Sequence, residues 1–209
     1  MMELLRRKAL ELGAFRAEVL DVSRVSLDAS FRSLCESNAC GNYGRNYMCP
    51  PDAGGIEELM EEIRSYDCLM VYQTVGELED SYDFEGMMEA GKRHNELAQK
   101  LRAFTRERRK ERQDGPESET VCPEEPEGAS FLHLGAGGCR VCSVCAKVTG
   151  EPCRHPDMAM RSLETYGINV SLLAQEAGMR YINGQNTVTY FGAVFMRGGR
   201  PQEPEKERR

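Results

Sequence analysis

The sequence lacks the marks of several common protein classes. Tryptophan is absent, and no apolar run is long enough to cross a bilayer. The first residues, Met1 to Lys8, have neither the apolar stretch nor the small-residue cleavage site of a signal peptide. We find no phosphate-binding loop, dinucleotide-binding fingerprint or nucleophile elbow. These absences favour a cytoplasmic protein that has no membrane partner, and they offer no motif for a nucleotide-dependent enzyme or a serine hydrolase.

The net charge and the length of the chain further limit the class of protein. A net charge of −7 argues against nucleic acid or a membrane surface as a partner of the whole molecule. A chain of 209 residues with 40% hydrophobic and 29% charged residues can bury a core of its own. The composition is that of an ordinary globular protein, and it does not indicate an oligomeric state.

Cysteine, in contrast, is abundant. The chain has nine cysteines. In the cytosol thiols stay reduced, so clustered cysteines bind metal more often than they form disulfides. An odd number would also leave one thiol outside a complete set of disulfides. The cysteines are therefore better explained by metal binding.

Four cysteines form a dense second cluster directly after Gly135-Ala136-Gly137-Gly138. They have the spacing C-x2-C-x2-C-x7-C and are Cys139, Cys142, Cys145 and Cys153. Three thiols at such short spacing can converge from one loop on an iron–sulfur cluster, most simply a 4Fe-4S cluster. Zinc sites more often use two separated C-x2-C pairs, yet zinc remains an alternative. The third interpretation is that these four cysteines bind no metal.

A first cluster lies about ninety residues earlier. Cys35, Cys40 and Cys49 have the spacing C-x4-C-x8-C-P, within a turn-rich segment that includes Cys40-Gly41-Asn42-Tyr43-Gly44. A Cys-Pro step also occurs at iron–sulfur ligands. We expect these three thiols to form a second metal centre or to share a common one. The alternative is that they are three buried thiols in a loop.

Two metal centres with four ligands each need eight ligands, so seven cysteines leave one centre without its fourth ligand. Cys153 belongs to the second cluster, although it could cross over to the first centre. The remaining thiols are Cys68, in an apolar strand pattern, and Cys122, in an acidic stretch. His155 is another candidate for the eighth ligand, and the last option is an iron atom with an open position.

Helix and strand patterns alternate along the chain. Apolar spacing predicts helices over residues 3–12, 55–65 and 87–104, and strands over 14–27, 68–72, 130–134 and 187–196. Asp157 is predicted to cap a helix that ends at Gly167, and Ser171 a shorter one that ends at Gly178. The fold class is therefore α/β or α+β, with a small mixed sheet, flanking helices and two cysteine-rich metal-binding loops.

The same patterns indicate one domain over residues 1–197. Residues 113–128 have no hydrophobic period, three prolines and many carboxylates, which predicts an exposed acidic insert. Residues 198–209 are predicted to be a disordered tail.

Both cysteine segments resemble one known family. They are similar to DUF2284, a prokaryotic family of predicted metal-binding proteins common in anaerobes. The first matching segment runs from Cys35 to Pro51. The second includes Gly138 to Cys145, Pro152-Cys153-Arg154-His155-Pro156 and the following residues 162–168. The resemblance covers residues 10–197, with 113–128 as an insertion. It implies that the metal ligands are Cys35, Cys40, Cys49, Cys139, Cys142, Cys145 and Cys153, and it implies no reaction.

Three functions follow as expectations. The first is a cytoplasmic iron–sulfur protein of anaerobic metabolism that transfers electrons to an unknown redox partner or assists redox chemistry. The second is an enzyme that binds a small substrate at an iron atom with an open position. The third is a zinc protein in which the metal organises loops for protein binding.

Overall fold

The computed structural model describes residues 1–114 and 129–198, without the side chains of residues 109–114. Most of the predicted acidic insert and of the predicted tail lies outside these residues. The helices are α1 (Met2–Glu11), α2 (Phe31–Glu36), α3 (Ile56–Arg64), α4 (Phe84–Asp114) and α5 (Val170–Glu176). The strands are β1 (Arg16–Asp21), β2 (Cys68–Glu77), β3 (Ser130–Leu134) and β4 (Thr187–Arg197). None of the described helices has the length and apolar character needed to cross a membrane.

The four strands form one sheet in the order β1-β2-β4-β3, and every neighbouring pair is antiparallel. The α+β prediction is confirmed, but the sheet is antiparallel throughout and not mixed. The sequence suggested a mixed sheet because helices and strands alternate, as they do around parallel crossovers. Here helices cover both faces of an antiparallel sheet, so its central strands are as apolar as those of a parallel one.

One face of the sheet packs against α1 and α4. Met70 and Tyr72 of β2 and Val194 of β4 point to this side, where they meet Leu5 of α1 and Leu101 of α4. All five side chains are essentially inaccessible to solvent. Burying side chains of this size stabilises the fold by roughly 1.5 to 3 kcal/mol each.

The opposite face packs against α3, α5 and the turns between them. Leu69 and Val71 of β2 and Phe195 of β4 belong to this second core, together with Ile63 of α3 and Leu173 of α5. Because successive strand residues point to opposite faces, β2 supplies both cores in turn. The sheet is therefore the middle layer of three.

No α-helix follows Asp157, contrary to the sequence prediction. The backbone carbonyls of Met158 and Ala159 instead accept hydrogen bonds from the side chains of Gln99 and Arg102 on α4, at 2.8 and 2.7 Å. Contacts with α4 thus replace the bonds of a helix. A 3-10 turn at Glu164–Tyr166 is the helical structure that remains before Gly167.

The prediction for the next helix was wrong in one detail. The N-cap of α5 is Asn169, not Ser171: the Asn169 carboxamide oxygen accepts a hydrogen bond from the Leu172 amide at 3.1 Å. Asparagine is as good an N-cap as serine, so the sequence offered two equivalent starts two residues apart.

His94 connects α4 to the sheet. Its side chain is 2% exposed, its ring stacks on Tyr72, and its Nδ1 lies 2.9 Å from the Thr74 hydroxyl oxygen. Burial lowers the pKa of His94 to about 4; the Phe191 backbone carbonyl opposes this shift and the charge of Arg140 adds to it. Burial also lowers the pKa of His133, to about 3. Both imidazoles are therefore neutral in the folded chain near neutral pH.

We expect His94 to destabilise the fold in acid. An unfolded histidine takes up a proton below about pH 6.5, whereas folded His94 does so only near pH 4, so the free energy of unfolding falls as the pH drops through that window. The His94 share is roughly 1 to 3 kcal/mol by pH 4. Urea unfolding at several pH values should show a shallower acid decline for His94→Gln than for the native chain. Equal slopes would contradict the assignment.

Candidate metal centre

The first cysteine loop is held together by its own hydrogen bonds. Cys35 lies on α2, and Cys40 and Cys49 lie in the turns between α2 and α3. The Asn38 carboxamide oxygen accepts from the Tyr43 amide at 3.0 Å, and Asn46 accepts in the same way from the Met48 amide at 3.0 Å. These side-chain-to-backbone bonds are typical of asparagine in turns and fix the loop between the thiols.

The second cysteine loop starts at the end of β3, where backbone hydrogen bonds join Gly135 to Arg161 and Leu163 at 2.9 and 3.1 Å. Beyond this point the loop makes few bonds of its own. Within the described residues, the structure records no acceptor for any backbone amide from Ala136 to Cys145. This stretch of unpaired N–H donors contains three of the predicted ligands.

The two loops contact each other directly. The Asn46 side-chain amide donates to the backbone carbonyl of Cys139 at 3.2 Å, and the Tyr47 hydroxyl donates to the carbonyl of Glu151 at 2.8 Å. Lys147 and Asp52 form an ion pair at 2.5 Å. Asn46 itself is buried. These contacts join segments about a hundred residues apart in the sequence.

The predicted ligands lie in one region. Four of them line a small cavity of about 20 Å³, namely Cys139, Cys142, Cys145 and Cys153. Burial raises the pKa of the Cys49 thiol to about 12, and the charges of four neighbouring thiols, those of Cys40, Cys35, Cys139 and Cys145, add to the shift. Cys139 and Cys145 belong to both sets, so the two loops face the same region of the molecule.

The thiols are near one another without forming a finished coordination shell. Among the described residues, no three cysteine, histidine, aspartate or glutamate side chains converge as a metal site requires. The donor chemistry nevertheless fits a thiophilic metal such as iron or zinc, since sulfur predominates in the group. The assignment of the seven cysteines as ligands thus remains a prediction.

The three candidates for the eighth ligand lie in different places. Cys68 is half-buried on β2, where it packs against the core between the sheet and α1. Cys122 lies outside the described residues. His155 lines the same cavity as the four cysteines of the second loop, so it is the candidate that the fold brings to the site.

Sequence reasoning missed the residues that join the loops. Asn46, Tyr47 and Lys147 carry no motif, and their partners are two backbone carbonyls and one carboxylate far away in the chain. The single hint was the richness of the first loop in asparagine and glycine, which indicates turns but not their partners.

We expect Asn46→Ala to separate the loops. The change removes the bond to Cys139 and leaves the Met48 amide without its acceptor, at a cost of about 1 to 3 kcal/mol. Bound metal should become easier to remove by a chelator. The control is Asn183→Ala, which also removes two asparagine hydrogen bonds, to Arg180 and Thr189, away from the site. Equal metal loss from both variants would contradict the role of Asn46.

Comparison with known proteins agrees with the cysteine pattern. The sequence profile of the family described as "Predicted metal-binding protein (DUF2284)" matches residues 18–196, which includes both cysteine loops. No curated protein and no solved structure matches the chain. The match spans most of the sequence, and the chain therefore belongs to the DUF2284 family of predicted metal-binding proteins.

Proposed function

We propose that this protein binds an iron–sulfur cluster of the 4Fe-4S type, at one or two centres, and serves as an electron carrier or redox accessory in the cytoplasm of an anaerobe.

One observation carries the proposal: the stretch from Ala136 to Cys145, whose backbone amides have no acceptor among the described residues, contains three closely spaced cysteines. The sulfur atoms of an iron–sulfur cluster accept hydrogen bonds from nearby amides, and these bonds help to set the reduction potential. The glycines before Cys139 add no Cβ atoms of their own, and the Asn42 carboxamide lies close to Gly138, where a Cβ would be 3.0 Å from its oxygen. The first loop differs, because turn bonds occupy several of its amides.

The chain's own groups have separate roles in this proposal. The thiolates of Cys35, Cys40, Cys49, Cys139, Cys142, Cys145 and Cys153 would hold the cluster. When bound, the cluster supplies one-electron redox chemistry. Asn46 keeps the two loops together, and burial of Cys49 limits access of water to that side of the site.

Metal and sulfide analysis of protein purified without oxygen tests the proposal. The native chain should be brown and contain iron and acid-labile sulfide. Cys142→Ser should lower both because it removes a proposed ligand, whereas Cys68→Ser should leave both unchanged because Cys68 packs on β2 away from the cavity.

Two results would reject the proposal. The first is a colourless protein with stoichiometric zinc and no iron after anaerobic reconstitution, which would favour the zinc alternative. The second is an equal loss of iron from the Cys142 and Cys68 variants.

A second candidate function is an enzyme with an open iron position. It is favoured by the count of seven thiols and by the large cleft next to Cys139 and Cys142. In that case the site would bind a small molecule as well as transfer electrons. The eighth ligand decides between the two functions.

His155→Ala separates these functions because His155 lies in the cavity with four of the thiols. If the protein is an electron carrier in which His155 is the eighth ligand, we expect His155→Ala to change the electron paramagnetic resonance spectrum and to lower the metal affinity about 10- to 100-fold. Arg154→Gln, a neighbouring change in the same cavity, is the control. A spectrum unchanged by His155→Ala would exclude His155 as a ligand and favour the enzyme.

A further inference from the structure

A large cleft lies between the first turns of α4 and the second cysteine loop. Its volume is about 790 Å³, within the range of small-molecule sites. Phe84, Met88 and Lys92 of α4 line one wall, and Cys139, Arg140 and Cys142 of the loop line the other. Any molecule held there would be a neighbour of two of the proposed metal ligands.

A smaller chamber of about 20 Å³ continues the cleft inward. Cleft and chamber share four lining residues, Asn95, Gly138, Cys139 and Arg140, so the two spaces meet at this junction. The chamber is lined further in by His94, Tyr190 and the glycine run before Cys139. The amides of Gly137 and Gly138 belong to the stretch that has no acceptor in the described chain.

His94 forms part of the chamber wall. Its side chain is 2% exposed, its Nδ1 lies 2.9 Å from the Thr74 hydroxyl oxygen, and Tyr72 and Tyr190 pack near the ring, with centroids 5.4 and 5.8 Å away. The Phe191 backbone carbonyl also acts on the ring as a hydrogen-bond acceptor. The charged group that the junction offers to a ligand is therefore Arg140.

Arg140 lies at the junction and has no carboxylate partner among the described residues. Its recorded contact within the described chain is a weak one, from Nη1 to the Met88 sulfur at 3.6 Å. Gly91 lets the guanidinium approach α4 closely, since a Cβ at that position would lie 3.0 Å from Nη1. A guanidinium held against a helix without a carboxylate partner is suited to bind a planar oxyanion.

The remaining walls restrict the ligand further. Phe84 is 71% exposed and Met88 47% exposed, so the outer cleft offers apolar surface for a ring or an alkyl group. Glu85 and Glu89 also line this outer part and oppose a second negative charge. The walls therefore favour a single carboxylate at the inner end with an apolar body outside it.

We propose that the cleft binds a small monocarboxylate, with its carboxylate on the Arg140 guanidinium at the junction and its apolar part against Phe84 and Met88. The site lies beside Cys139 and Cys142, so the bound acid would be a substrate or effector of the centre proposed above. Binding itself depends on the protein walls alone, so a failure of the iron–sulfur proposal would not remove it.

Fluorine NMR of the purified full chain tests this site with 4-fluorobenzoate and its neutral isostere 4-fluorobenzamide as probes. The benzoate should bind at least about tenfold more tightly, since a charge-assisted hydrogen bond is lost with the amide. 4-Fluorophenyl phosphate, which carries more charge, should bind more weakly than the benzoate.

Three variants locate the carboxylate. Arg140→Gln should abolish the preference for the benzoate, whereas Lys100→Gln, which removes a positive charge elsewhere on α4, should preserve it. Asn95→Asp, which places a repelling carboxylate at the half-buried junction, should weaken benzoate binding.

Clear results would overturn the proposal. These are the absence of benzoate binding at millimolar concentration, equal binding of benzoate and benzamide, tighter binding of the phosphate, or an Arg140→Gln variant that keeps the preference. Iron and sulfide content, measured on the same samples, reports separately on the metal centre.

Discussion

The candidate site depends on the contacts between its two loops, and the one made by a buried side chain is the hydrogen bond that Asn46 donates to the backbone carbonyl of Cys139. Neither loop contains enough thiols for two centres, and their cysteines are about ninety residues apart in the sequence. The sheet brings the two loops close together, because β3 is an edge strand and the second loop leaves its end towards the turns between α2 and α3. Asn46 also fixes the position of the first loop relative to the second, because its carboxamide oxygen accepts a hydrogen bond from the Met48 amide next to Cys49. A change in one loop is therefore transmitted to the other.

Much of the fold was predictable from apolar periodicity. The strand at 130–134 was predicted with the bounds that β3 has, and the helix at 55–65 differs from α3 by one residue at each end. These segments pack through a single regular face, so their sequence repeats with the period of their structure. The segment after Asp157 was not predictable, because its carbonyls are bonded by Gln99 and Arg102, more than fifty residues earlier in the chain. Local capping signals contain no information about such partners.

The same distinction holds at the site. Cysteine spacing is a local property, and four of the seven predicted ligands, those of the second loop, line one cavity. The assignment of all seven as ligands stays a prediction. Arg140 was not singled out, because an isolated arginine between two cysteines has no motif. The partners of His94 could not be predicted, because Thr74 and the two tyrosines that pack on its ring belong to other elements of the chain.

The contrast between the loops bears on how the site could act. The first loop uses Asn38 and Asn46 to pair its own amides, so it holds its thiols in a fixed frame. In the second loop, the amides from Ala136 to Cys145 have no acceptor within the part of the chain that the structure describes, and the loop lines both the thiol-lined cavity and the cleft. Unpaired donors are costly unless water or a ligand accepts from them. A loop of this kind can donate to cluster sulfur on one side and to a carboxylate on the other, and that would couple the binding of a small acid to the electronic state of the centre.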